Sequence, residues 1–142
     1  MITRKLGLTV GFALVVGAFI SIFLPQDQEK AIEKLFNEVN FQGAELRDAS
    51  ERLVMTRERL AAGQGILAEQ PVLKAEADQL VGSIDQHLGQ VVQWVVEFGS
   101  PPPADERKDW LLQQRDQVSE LLQQTRAIDR KGRILLGDPG AN

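Results

Sequence analysis

Nineteen consecutive positions, Leu6 to Leu24, carry no charge and only two polar side chains, Thr9 and Ser21. At about 1.5 Å per residue the run spans roughly 28 Å, the thickness of a bilayer's hydrocarbon core, which predicts a transmembrane helix over 6–24. Pro25 ends the run, and from about Asp27 the pattern turns amphipathic. Ile32, Val39, Leu46, Leu53, Leu60 and Leu67 recur every seventh residue and are expected to form a helix–helix interface. Three residues after each stand Leu35, Gln42, Ala49, Thr56 and Gly63, of which only the first is large. A two-stranded zipper wants large residues at both positions, so the alternation of large and small points to closely packed antiparallel helices in a bundle.

Gly63, Gly65 and Pro71 punctuate the chain, which places the first soluble helix at about 26–62 and the second at about 71–98. The end of the second, Val91 to Phe98, has strand-like composition, but Gln79, Gln86, Gln90, Gln93 and Glu97 line one helical face. Ala75, Gly82 and Gly89 recur at seven on another face and are expected to admit a close neighbour. Gly99-Ser-Pro-Pro-Pro103 is a loop, and a third helix follows over about 104–131. Leu111, Val118, Leu121, Leu122, Thr125 and Ile128 form its apolar face; Arg126, Arg130 and Lys131 suit its C-terminal dipole, and Gly132 its C-cap. Residues 133–142 read as a flexible tail. The predicted fold is therefore all-α: an N-terminal transmembrane helix, then an antiparallel bundle of three long amphipathic helices over 25–132. The first soluble helix exceeds either partner by about ten residues, and that overhang predicts pairing with another chain or a place near the membrane.

The apolar run also resembles a secretory signal, with Val16-Gly17-Ala18 as small residues for cleavage, but it continues past them without an A-x-A pattern. An uncleaved signal anchor is the reading adopted. Arg4 and Lys5 favour a cytoplasmic N-terminus over residues 1–5, which in a bacterium puts the bundle in the periplasm. Ala13, Gly17 and Ser21 recur every fourth residue, and Gly7 and Gly11 do so one face away; such ridges let membrane helices approach closely.

The 142 residues carry a formal charge of −4 and no cysteine. Acidic balance excludes nucleic acid as a partner, since phosphate binding draws on cationic neutralisation. The lack of cysteine excludes disulfides, thiolate metal sites and thiol nucleophiles. The single histidine, His87, has no second histidine to share a metal with. The serines lack a nucleophile elbow, no Gly-rich phosphate loop is present, and no separated carboxylate pair points into a cleft. No enzyme, metal or cofactor is expected. Partners are the lipid bilayer through 6–24 and either the chain itself or another membrane or periplasmic protein. Arg47, Arg52, Arg57 and Arg59 make a basic stretch in this acidic domain. They are expected to pair within the helix with Asp48, Glu51 and Glu58; Arg52 and Arg59, seven apart, are alternatively a seat for a carboxylate ligand. Trp94 and Trp110 flank the Pro-rich loop and are expected to pack together at one end.

The opening Arg4-Lys-Leu-Gly-Leu-Thr-Val-Gly-Phe-Ala-Leu-Val-Val16 resembles the start of methyl-accepting chemotaxis receptors and sensor kinases. Leu46-Arg-Asp-Ala-Ser-Glu-Arg-Leu-Val-Met-Thr-Arg-Glu-Arg-Leu60 is similar to the first helix of their periplasmic four-helix-bundle sensor. The family's second membrane helix and cytoplasmic signalling modules have no counterpart in these residues. The resemblance therefore implies a sensor-like domain that acts through a partner. The functional expectation is a non-enzymatic single-pass inner-membrane protein whose bundle mediates protein–protein contact. A small-molecule sensor and a phage spanin-like lysis protein are the alternatives.

Overall fold

The computed structural model describes residues 26–141, so the expected transmembrane helix over 6–24, with Gly7, Gly11, Ala13, Gly17 and Ser21, lies outside the described residues. Within them there are three long helices and no strand: α1 (Gln26–Ala61), α2 (Lys74–Phe98) and α3 (Arg107–Leu136), joined by short 3₁₀ turns. None of these is long and apolar enough to cross a membrane. The heptad line of α1 explains its length: Ile32, Val39, Leu46, Leu53 and Leu60 are all buried in one core. Leu67 is buried too, although α1 has already ended; the 3₁₀ turn Gly65–Ala68 folds it back into the core.

α1 and α3 end by the same device. At Gly63 (φ 67°) the Gln64 amide reaches the Arg59 carbonyl at 3.0 Å, and the Gly63 amide reaches that of Leu60 at 3.1 Å. At Gly137 (φ 80°) the amides of Asp138 and Gly137 bond the carbonyls of Arg133 and Ile134, both at 3.0 Å. Each is a Schellman closure, with glycine supplying the left-handed residue. Lys74 Nζ adds bonds to the carbonyls of Leu60 and Ala61 at 3.3 and 3.0 Å, satisfying the end of α1 from the start of α2.

The chain runs up, down and up. α2 is antiparallel to both neighbours, and α1 and α3 run parallel, as cross-contacts from Glu38–Arg115 to Arg59–Asp138 rise together along both helices. The closest packing is between this parallel pair rather than between antiparallel helices. Thr56 and Gly132 make the approach possible: a Cβ on Gly132 would lie 2.6 Å from Thr56 Cγ2 and 3.2 Å from Leu60 Cδ1. α2 stands off on bulky side chains, Leu80, Ile84, Leu88, Val91, Trp94, Val95 and Phe98.

Several expectations need correction. α3 runs five residues past 131, because Gly132 is a packing residue inside it and Gly137 is the real C-cap residue. Of the tail expected over 133–142, the described residues 133–141 are consequently not loose: Leu136 and Ala141 are buried, and Arg130 Nε donates to the Ala141 carbonyl at 3.0 Å. Gly82 and Gly89 admit no neighbour among the described residues, since a Cβ on either would meet nothing within 4 Å there. α1 has 36 residues against 30 for α3 and 25 for α2, so the overhang of about ten residues holds against α2 alone. Its apolar part is already covered, with Ile32 buried and Leu35 and Phe36 packed on the core. Trp94 and Trp110 do meet one end of the bundle, but through Phe98, which stacks on both at 5.2 and 5.3 Å and on Phe36 at 5.9 Å.

Candidate functional site

On α1 the seven-residue spacing of Arg52 and Arg59 puts both on one stripe. On α3, Arg126, Arg130 and Arg133 follow at i, i+4 and i+7, again one stripe. Parallel packing lays the two stripes side by side. Two adjoining cavities result: one of about 300 Å³, lined by Ala49, Arg52, Arg126, Asp129, Arg130 and Arg133, and one of about 220 Å³, lined by Arg52, Met55, Thr56, Arg59, Asp129 and Arg133. Arg52, Asp129 and Arg133 border both, so they form one groove.

Asp129 is the floor. It is 7% exposed, accepts from the Thr56 hydroxyl at 2.5 Å and pairs with Arg133 Nε at 3.1 Å. Those two partners are what make a buried carboxylate tolerable. At the lower end Arg59 grips Asp138 with two bonds, 2.6 and 2.7 Å. That bond raises the Arg59 pKa and holds the Asp138 carboxyl below its ordinary value. Arg126 lies 3.5 Å from Glu45, and Arg130 spends one donor on Ala141. Arg52 is exposed and, among the described residues, makes no hydrogen bond or ion pair. Five guanidinium groups thus face one carboxylate in the lining of a groove on an acidic protein.

The expected pairing inside α1 holds for Arg47, 3.6 Å from Asp48. Arg57 instead reaches across to α2, where its Nε and Nη2 bond the Asp85 carboxylate at 2.5 and 2.9 Å. This raises its pKa above the ordinary guanidinium value. Arg57 is therefore a tie between helices, and Arg52 and Arg59 remain at the groove. The α3 half of the groove was readable only as helix-terminal charge; the 126/130/133 spacing was its one signal, and it gains meaning only once α3 lies parallel to α1.

His87 is spent on structure. It is 5% exposed, with Nε2 2.6 Å from Thr125 Oγ1, while the Thr125 hydroxyl donates to the Leu121 carbonyl at 2.6 Å. A hydroxyl has one proton, so Nε2 carries the hydrogen and donates. Burial lowers the His87 pKa. No group of three or more acidic or histidine side chains among the described residues is arranged to hold a metal ion. A larger cleft, about 580 Å³ between α2 and α3, collects one carboxylate, Glu76, and one cation, Lys131, among neutral side chains, and so has no charge preference. Comparison with protein-family models, curated proteins and solved structures finds no match to this chain.

Proposed function

We propose that this chain is a non-enzymatic recognition subunit of sensor-like type, anchored by a single transmembrane helix over 6–24, whose bundle takes an anionic ligand in the arginine groove. The observation that carries this is Arg52, a guanidinium with no partner among the described residues, beside four others with one buried carboxylate between them. Arg52 and Arg130 have no counterion among the described residues, and an anion that neutralises them is bound with charge-assisted, often bidentate bonds. The uncharged run from Leu6 to Leu24 supports the anchor, and Arg4 with Lys5 supports a cytoplasmic N-terminus and a periplasmic bundle. The test is thermal melting of the detergent-purified full-length chain against oxyanions at constant ionic strength. A bound anion raises the midpoint with concentration, by the equivalent of about 2.7 kcal/mol at a hundredfold excess over Kd. Arg52→Ala is expected to shrink the shift while leaving the unliganded midpoint in place, because Arg52 ties no other element. Absence of any Arg52-dependent shift overturns the reading.

A second reading, a scaffold or accessory subunit that binds another copy or protein, is favoured by α2. Its exposed face carries Gly82 and Gly89 with open space beside them, and Val96 is 65% exposed. Light scattering of the full-length chain, with Gly82→Lys as the blocking variant, separates a dimer formed through α2 from a monomer.

A further inference from the structure

Resting on the anion-groove reading, we infer that the ligand is a compact dianion with a short apolar substituent, of the phosphate-monoester kind. The argument counts what each guanidinium already holds. In the cavity of about 300 Å³, Arg133 is neutralised by Asp129 at 3.1 Å and Arg126 is partly engaged by Glu45 at 3.5 Å. Among the described residues, Arg52 and Arg130 are left without a counterion, Arg130 having given one of its five donors to a neutral carbonyl. Two uncompensated positive charges on one cavity call for two negative charges on one head. The adjoining cavity of about 220 Å³ is different in kind. Its additional cation, Arg59, is neutralised by Asp138 through two bonds, and beyond the shared Arg52, Asp129 and Arg133 its lining adds only Thr56 and the thioether of Met55, 58% exposed. An apolar substituent covers Met55; with Arg52 engaged by the head in the larger cavity, a second separate charge there would find no further vacant cation.

The same chemistry occurs in lipid headgroups and in free phosphate esters, and position favours the free molecule. Arg52 lies 26 residues along α1 from Gln26, about 39 Å from the end where the anchor joins. A phosphate monoester is doubly charged above its second pKa of about 6, so the binding measurement belongs near pH 7.5.

Isothermal titration of the detergent-purified full-length chain, at constant ionic strength, compares acetate, inorganic phosphate and phenyl phosphate, with phosphatidic acid vesicles as the lipid arm. Phosphate is expected to bind at least about tenfold more tightly than acetate, and phenyl phosphate about threefold to tenfold more tightly than phosphate. Arg52→Ala weakens both phosphates about tenfold, and Met55→Gln removes the preference for the phenyl group while leaving phosphate unchanged. Acetate binding as tightly as phosphate, or a phenyl preference that survives Met55→Gln, overturns the ligand class while leaving an anion site in place. Binding confined to the vesicles overturns the free ester in favour of a headgroup. Heats that are the same in Arg52→Ala as in the parent overturn the groove reading itself.

Discussion

Three helical glycines separate two uses of the same residue. Gly132 sits where α3 crosses Thr56 and Leu60, and Thr56 cannot turn away without losing its 2.5 Å bond to Asp129. Gly132→Ala therefore has to push the parallel helices apart. It is expected to cost about 1–3 kcal/mol, the usual range for overpacking. Gly82 and Gly89 are also inside a helix, yet a Cβ there meets nothing within 4 Å. Gly82→Ala and Gly89→Ala should each raise stability by about 0.5–1 kcal/mol, because alanine restricts the unfolded chain and favours helix. Urea midpoints followed by circular dichroism at 222 nm measure all three. A neutral Gly132→Ala would mean that the seam is looser than the 2.6 Å contact implies.

At the scale of elements, α2 is tied to α3 by one buried polar contact, His87 to Thr125, and the tie is pH-sensitive. Burial holds the folded pKa of His87 below its ordinary value of 6.5. The unfolded chain therefore takes up a proton first as pH falls, so stability is complete above about pH 7.5 and declines as pH drops through 6.5 towards the folded value. His87 is the one side chain with an ordinary pKa in that window. The slope of the urea midpoint between pH 7.5 and 5.5 should vanish in His87→Leu, and its persistence would place the titration elsewhere. Elements such as α1 were legible because large apolar residues keep strict register there. The end of α3 was hidden by the same logic: on the line Leu122, Asp129, Leu136 the middle residue is charged, and on Leu111, Val118, Thr125, Gly132 the last has no side chain. Asp129 is buried because Thr56 and Arg133 satisfy it, and Gly132 because α1 needs its room. Thr56 and the lack of room beside Gly132 both belong to α1, another helix, where a one-dimensional pattern of α3 cannot register them; only the Arg133 pairing is local. The groove divided in the same way: Arg52 and Arg59 stood out from the periodicity of α1, while Arg126, Arg130 and Arg133 acquired a role from parallel packing.

Across the whole molecule, the last residues lock the end of the bundle farthest from Gln26 and also set the charge of the groove. Gly137 turns the chain so that Asp138 meets Arg59, while Leu136 and Ala141 enter the core. Asp138→Asn tests both consequences. Arg59 and Asp138 are 36% and 23% exposed, so the pair is screened and its loss should cost no more than about 1 kcal/mol at neutral pH. Asp138 has a folded pKa below its ordinary 3.8, so its contribution is present above that value and is lost as pH falls through it. The midpoint difference between parent and Asp138→Asn should accordingly shrink below about pH 4. The second consequence has the opposite sign. Release of Arg59 gives the smaller cavity a vacant guanidinium beside Met55, which turns a seat suited to an apolar substituent into one suited to a second charge. The variant should therefore bind phosphate more tightly than the parent, by about twofold to tenfold, and lose its preference for phenyl phosphate. Titration of the full-length variant reads both effects. A variant that is less stable and binds phosphate no better would show that Asp138 shapes the groove mechanically, by holding the C-terminal turn, rather than by occupying Arg59.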